Sequence, residues 1–328
     1  MICGISKKKS KQVNPANTTN SNNQTPKKSK MDDQDQMEQL IKEFAHLDLT
    51  APEPSNPEEK GKITGLVYHK DMLKHAMSLT DEAKALKHPE NPKRLETIIN
   101  RIQTSNLTKR LDVIEEFEEA EKEIVTLAHP EDFFDYINEI WFPAGRKECL
   151  KYFDTYYNPH SSRAAKLAVQ SLKICVDKIL GQPDEKESNH GSEKPWKNGF
   201  AAIRPPGHHA MKNNRVSGFC FFNNVGVGAE YAIKKYGLKR VVVFDWDVHH
   251  GDGSQRLFEG RKDVLFMSIH RFENGKIFPG PSGGLENVGI NGAEGYNLNL
   301  PWNTDFDHDY RVNIQNLEFF KDKFGDYR

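Results

Sequence analysis

Asp245-Trp246-Asp247-Val248-His249-His250-Gly251-Asp252 follows directly on Arg240-Val241-Val242-Val243-Phe244. The β-branched apolar run reads as a buried parallel strand, because strands covered on both faces lose their polar alternation. Beyond it the alternation returns. Successive side chains of an extended chain point to opposite faces, so Asp245, Asp247 and His249 share one face and Trp246 and Val248 the other. Two carboxylates and an imidazole converging past a strand end form a candidate divalent-metal site. Strand carboxyl ends are also where open α/β sheets place ligands. A solvated turn would explain one Asp or one His. It accounts poorly for three acidic residues and two histidines in eight positions with large apolar residues between them.

Outward from this strand, strands alternate with helices. Ile63 to Tyr68 reads as a strand, and Leu95, Ile98, Ile99 and Ile102 behind Pro92 as an amphipathic helix with Pro in its first turn. Strands are expected at Leu111–Ile114 and Ile124–Leu127, and helices at Pro130–Ile140, Ala164–Leu180 and Asn223–Tyr236. Phe200–Ile203 and Val264–Ile269 read as further strands, and Gly181–Lys194 as a polar surface insertion. This alternation predicts a parallel sheet covered by helices on both faces, a three-layer α/β/α architecture.

Residues 1–30 carry seven lysines and no acidic residue, and residues 31–60 nine acidic residues against two lysines. Neither half has the apolar content to fold alone, so 1–60 is expected to be a mostly disordered charged tail and 61–328 the folded domain. Lys7-Lys8-Lys9-Ser10-Lys11 is a candidate nuclear import signal or a solvated charge run. Ile41, Phe44, Leu47 and Leu49 have the spacing of a leucine-rich export signal or of a short amphipathic helix. The net charge of −1 gives no general pull toward nucleic acid or anionic membrane. No apolar stretch is long enough to span a bilayer, and no secretory signal peptide is expected. The four cysteines (Cys3, Cys149, Cys175, Cys220) lack CxxC spacing and fit reduced thiols of the cytosol or nucleus.

A second cluster, Arg204-Pro205-Pro206-Gly207-His208-His209, follows another short strand. Two prolines stiffen the loop, and paired histidines beyond such a turn suit proton transfer near neutral pH. Asp245 and Asp252 are candidate carboxylates to orient them, since a carboxylate on one ring nitrogen makes the other a better base. Two clusters of matched chemistry point to hydrolysis. Arg204–Ala210, Gly218-Phe219-Cys220-Phe221-Phe222-Asn223-Asn224, Asp245–Gly253 and Ser268-Ile269-His270 through Phe278-Pro279-Gly280 resemble the zinc-dependent histone deacetylases. The Arg-Pro-Pro-Gly-His-His form resembles their class II branch, and the likeness runs in order from about Gly61 to the C-terminus.

The resemblance implies an arginase/deacetylase-like fold that hydrolyses the acetyl amide of N-acetyl-lysine. Asp247 and His249 match two of three ligands to one catalytic Zn²⁺. His209 matches the general base, with Asp252 behind it, and His208 its neighbour, oriented by Asp245. Gly218 and Phe219 match one substrate-tunnel wall and Phe278 the other, although each phenylalanine taken alone would suit a core. Asp245 and Ser268 match a structural K⁺ site. An apolar tunnel would bury the long stem of acetyl-lysine, worth about 0.8 kcal/mol per CH₂. Implied partners are acetylated histone tails or other acetyl-lysine proteins and corepressor-type complexes, with neither nucleic acid nor membrane bound directly. The implied location is nucleus, cytoplasm or both, with shuttling.

The family's third zinc ligand lies in a later Gly-Phe-Asp segment, and its transition-state tyrosine follows a Gly-Gly pair; neither matches here. Asp305, Asp307 and Asp309 follow Pro301-Trp302-Asn303, which does match, but none is placed like the absent ligand, and Tyr310 and Tyr327 stand in the wrong context. The expectation is a C-terminally incomplete domain, its last strands missing, from a truncated product or an incomplete gene model. Two alternatives follow. One is a catalytically impaired deacetylase-like binding module; the other is an arginase-like ureohydrolase with a manganese pair. The Asp247-x-His249-x-x-Asp252 spacing and the histidine pair speak against the second. Hydrolysis of acetylated polyamines or other small amides stays open.

Overall fold

The computed structural model describes residues 4–6, 63–77, 88–139, 155–181, 196–212 and 216–303. All belong to one compact unit, 1–7 with 63–328; a second unit, 8–62, lies outside the described residues. So do the Lys7–Lys11 run, the Ile41–Leu49 segment, most of the 181–194 insertion, and Asp305, Asp307, Asp309, Tyr310 and Tyr327.

The strands are β1 (Gly4–Ser6), β2 (Ile63–Val67), β3 (Leu111–Ile114), β4 (Trp196–Ala201), β5 (Val241–Asp245), β6 (Val264–Arg271) and β7 (Asn297–Trp302). The helices are α1 (Lys93–Thr104), α2 (Lys122–Val125), α3 (Glu131–Glu139), α4 (Ser161–Leu180), α5 (Asn224–Tyr236) and α6 (Asp252–Phe258). The mainly parallel α/β architecture is as expected. Among the described residues its strands stand in two sheets, β1-β4-β2-β3 and β5-β6-β7, with only the β1–β4 pairing antiparallel. Gly4–Ser6, read as tail, pairs with Asn198–Phe200.

The helices form where the apolar period is 3.6. In α4, Ala164, Ala165, Leu167, Ala168, Leu172, Cys175, Val176 and Ile179 are all buried. Adjacent residues of β2 serve opposite layers, as a pleated strand requires: Leu66 packs with Leu95 and Ile99 of α1, and Val67 with Leu172 and Val176 of α4. Gly65 makes room for the Trp196 ring, which a Cβ there would approach to under 3.0 Å. The indole then donates to Asp112 (2.8 Å). Helix α5 reaches both sheets: Tyr231 and Ala232 pack with the first, and Ala229 with Val243 and Phe266 of the second and with Phe258 of α6. Its first turn is capped by Asn223, whose side chain accepts from the Gly226 amide (2.8 Å), and it ends at Gly237 with φ +65°.

Two expectations are corrected. The segment read as a strand at Ile124–Leu127 is the short helix α2 and the turn after it. Ile124, Val125, Leu127 and Ala128 form one helical face, with Val125 and Ala128 in the core beside Phe133 and Val169. Four residues are too few to separate a period of 2 from one of 3.6. The β5 strand is not buried on both faces. Val243 and Asp245 are buried, but Val242 and Phe244 are 62% and 43% exposed, and Trp246 and Val248 continue that open stripe. It lines a cavity of about 860 Å³ shared with Leu172, Val176, Phe200 and Ala202 of the other sheet's side.

Candidate active site

The β5–β6 ladder ends with Asp245 opposite Ser268. From there the chain descends through two Asx-type turns, in which a carboxylate accepts from the amide two residues on. Asp245 Oδ1 accepts from Asp247 N (3.0 Å), and Asp247 Oδ1 from His249 N (2.9 Å). Arg271 N donates to the Val248 carbonyl (2.9 Å), so β6 steadies the descent. The expected division of faces holds. Asp245, Asp247 and His249 turn toward the histidine loop, whereas Trp246 and Val248 are exposed.

The second cluster meets the first here. His208 donates from Nδ1 to Asp245 Oδ2 (2.8 Å), and His209 from Nδ1 to Asp252 Oδ1 (2.7 Å). The two imidazoles lie 4.0 Å apart between centroids, and the His209 ring is 6.1 Å from that of His249. His208 Nε2 is 3.9 Å from Asp247 Oδ1, and the His249 ring nitrogen Nδ1 is 3.4 Å from the same oxygen. Asp252 is the first residue of α6, and Ser254 N donates to the His208 carbonyl (3.0 Å), which locks loop to helix.

Three glycines make this approach possible. A Cβ on Gly251 would meet Asp245 Oδ2, one on Gly253 the Ala210 carbonyl, and one on Gly218 the His209 ring, each at under 3.0 Å. Gly218 and Phe219 both have positive φ, +51° and +68°. Gly218 thus floors the His209 ring, while Phe278, 44% exposed, sets its ring 4.8 Å from His209 and 5.9 Å from His249. Phe219 is held by its amide, which donates to Thr155 Oγ1 (3.1 Å), and by the edge of His88 (4.9 Å). Ser268 is fully buried, and its hydroxyl pairs with His270 Nδ1 (2.8 Å).

The electrostatics separate the two histidines. Burial disfavours a charge on His208, but the hydrogen bond and charge of Asp245 outweigh it and hold the ring above its ordinary pKa. Burial dominates at His209, and the neighbouring His208 adds to it, so its pKa is lowered despite Asp252. Burial would raise Asp247, yet the His249 hydrogen bond and the His208 charge bring it well below the usual carboxylate range.

Asp247 and His249 offer one oxygen and one nitrogen donor of the types zinc takes. Among the described residues no group of three His, Cys, Asp or Glu is close enough to hold a metal. The pair therefore fits part of a zinc coordination shell. The sequence reading missed His88, Thr155 and the glycines at 251 and 253. The Gly251-Asp252-Gly253 run carried a signal for the last two, since close backbone approach is the usual reason for paired glycines.

A sequence profile of the histone deacetylase domain matches residues 88–321. The chain is 36% identical to Histone deacetylase 15 of Arabidopsis thaliana over 73% of its own length and 40% of that protein's. It is 34% identical to Polyamine deacetylase HDAC10 of Danio rerio (73% and 34%) and 32% identical to Histone deacetylase 9 of Homo sapiens (79% and 26%). The crystal structure of the HDA15 HD domain superimposes with a TM-score of 0.61 at 35% identity, covering 74% of this chain and 63% of that one. The chain thus spans about a third of the length of the curated relatives it matches.

Proposed function

The chain belongs to the histone deacetylase family, class II, and on that premise we propose that it hydrolyses the acetyl amide of N-acetyl-lysine with zinc held by Asp247 and His249. The observation that carries this reading is the meeting of the His208–Asp245 and His209–Asp252 pairs beside those two donors. A zinc ion bound there would supply Lewis acidity for the acetyl carbonyl and the attacking water. The chain's own groups account for the proton traffic. His209 Nδ1 is committed to Asp252, which leaves Nε2 as the basic nitrogen. Its lowered pKa keeps it neutral near pH 7, ready to take the water's proton and return it to the departing lysine amine. Asp245 favours the protonated form of His208, in which Nε2 would donate where negative charge develops on the acetyl oxygen.

The apolar border of Phe278 and Phe219 suits the methylene stem of a neutral acyl-lysine. Acetylated histone tails and other acetyl-lysine proteins are the proposed substrates, with K⁺ at Asp245 and Ser268 as a proposed structural ion. The test is turnover of an acetyl-lysine peptide and of an acetylated polyamine by the full-length, zinc-loaded chain, beside His209→Ala. The peptide is expected to be deacetylated at a rate the variant lowers by 10²-fold or more, as for loss of a general base (about 10²–10⁴). A chain that binds the peptide and leaves it intact would be a binding module, and the proposal would fail.

A further inference from the structure

The histidine loop is anchored well away from the reacting groups. Arg204, which opens it, is 2% exposed, and Glu90 is 0% exposed. The guanidinium donates from Nε to Glu90 Oε1 (2.9 Å) and from Nη2 to Oε2 (2.8 Å), a two-pronged pairing that fixes both planes. Nη1 donates to the Met72 carbonyl (2.6 Å) and Nη2 also to the Tyr156 hydroxyl (2.8 Å). That hydroxyl in turn donates to Glu90 Oε2 (2.8 Å). Three remote chain segments are thereby tied to one loop. Burial works against the Glu90 charge, but Arg204 outweighs it and keeps the carboxylate ionised.

The same cluster reaches Phe219. His88 accepts from the Glu90 amide at Nδ1 (3.2 Å) and sets its ring edge-on to both Tyr156 (5.0 Å) and Phe219 (4.9 Å). Thr155, next to Tyr156, accepts from the Phe219 amide. His75 stacks on the Tyr156 ring (4.6 Å, 19°). Phe219 sits at φ +68°, a region a phenylalanine keeps only when its surroundings hold it there.

We infer that Glu90, Arg204 and Tyr156 form a positioning clamp that sets the Phe219 wall of the acyl-lysine channel, and so governs substrate affinity. This rests on the deacetylase reading above. None of the three touches the reacting groups; they act through His88, Thr155 and the base of the histidine loop. The His209–Asp252 pair is held separately by α6, so loosening the clamp should cost binding more than chemistry.

The experiment measures KM, kcat and the pH profile for an acetyl-lysine peptide, and Kd for the same peptide by calorimetry, in the full-length zinc-loaded chain. Wild type is compared with Tyr156→Phe and Arg204→Lys. Tyr156→Phe keeps the ring that His75 and His88 pack on, so it tests the clamp even if the Arg204 variant does not fold. The expected result is a rise in KM and Kd of about tenfold, as for one lost buried hydrogen bond to a charged group, with kcat and the pH profile nearly unchanged. A fall in kcat at unchanged KM and Kd would mean only fewer folded molecules, and would overturn the clamp; so would wild-type behaviour in both variants. If wild type leaves the peptide intact, the deacetylase reading fails by itself and the Kd comparison still decides the clamp. A wild-type chain that neither binds nor cleaves the peptide overturns both.

Discussion

Gly218→Ala should damage the chain twice, and the structure separates the two injuries. The first is backbone strain: Gly218 has φ +51°, where an L-residue costs about 1–2 kcal/mol. The second is steric. A Cβ at this position would approach the His209 ring to under 3.0 Å. The ring has little room to yield, since its Nδ1 is tied to Asp252 and His208 stands 4.0 Å away between centroids. Overpacking of this kind costs about 1–3 kcal/mol, so the summed destabilisation is about 2–5 kcal/mol. The ring that does move is the proposed base, and a shift of about 1 Å at a catalytic group costs on the order of 10² in rate. Gly237→Ala is the matched control. Its φ is +65° and a Cβ there would meet nothing within 4 Å, so it carries the backbone cost alone. Urea unfolding and kcat of both variants check the reasoning. Gly237→Ala should lose about 1–2 kcal/mol and no turnover, whereas Gly218→Ala should lose more stability and about 10²-fold in kcat. Equal turnover in the two variants would refute the argument that Gly218 exists to floor His209.

Asp252→Asn should lower kcat/KM by about 10- to 100-fold, since it removes the carboxylate that fixes the His209 tautomer; steady-state kinetics would show it, and an unchanged kcat/KM contradicts the assignment of the base. Asp247→Ala and His249→Ala should each reduce zinc bound at equilibrium, read by metal analysis after dialysis, whereas Ser268→Ala should leave zinc content as it is. Acid should destabilise the fold through its buried histidines. Burial lowers His129 to about 4 and His75 to about 3. Both folded values lie below the unfolded value of about 6.5, so stability is full above that pH and is lost as pH falls toward the folded values. For His129 the loss at pH 4 is roughly 3 kcal/mol. Urea unfolding at several pH values should show that decline, and His129→Gln, whose amide oxygen can still accept from Asn223 N, should show a shallower one.

The elements legible in the sequence were those whose pattern is local. The face of α4, the span of α5 and the Asp245–His249 alternation each rest on neighbours within a turn or two of chain, and the structure keeps all of them. What stayed hidden depended on distant partners. Strand β7, not among the expected strands, carries Asn297, Asn299 and Pro301; it pairs in parallel with β6, and both amides turn inward to Gln255 Oε1 (3.0 and 2.8 Å). Trp196 starts β4 four residues before the expected Phe200, since the ladder with β2 extends over Asn198 and Gly199. The Glu90–Arg204 pair joins positions 114 residues apart and leaves no periodicity at either end. The site residues were legible because each motif is compact: Arg204–His209 carries both imidazoles, and Asp245–Asp252 carries both orienting carboxylates and the two proposed zinc ligands, although the dyads themselves join the two motifs across 37 and 43 positions.

One strand shows how far local pattern can reach. The period of 2 that places Asp245, Asp247 and His249 on the site face also places Phe244, Trp246 and Val248 on the open face. A slip of one residue would exchange them, bringing apolar groups to the histidine loop and carboxylates to the apolar cavity. Among the described residues, the β6 pairings of Asp245 with Ser268 and of Arg271 N with the Val248 carbonyl hold the register from one edge. Contacts on the open face would hold it from the other. Covering the exposed Phe244, Trp246 and Val248 and the aim of the proposed metal donors are therefore coupled through the backbone they share. Substitutions on the open face should alter zinc affinity without touching a ligand.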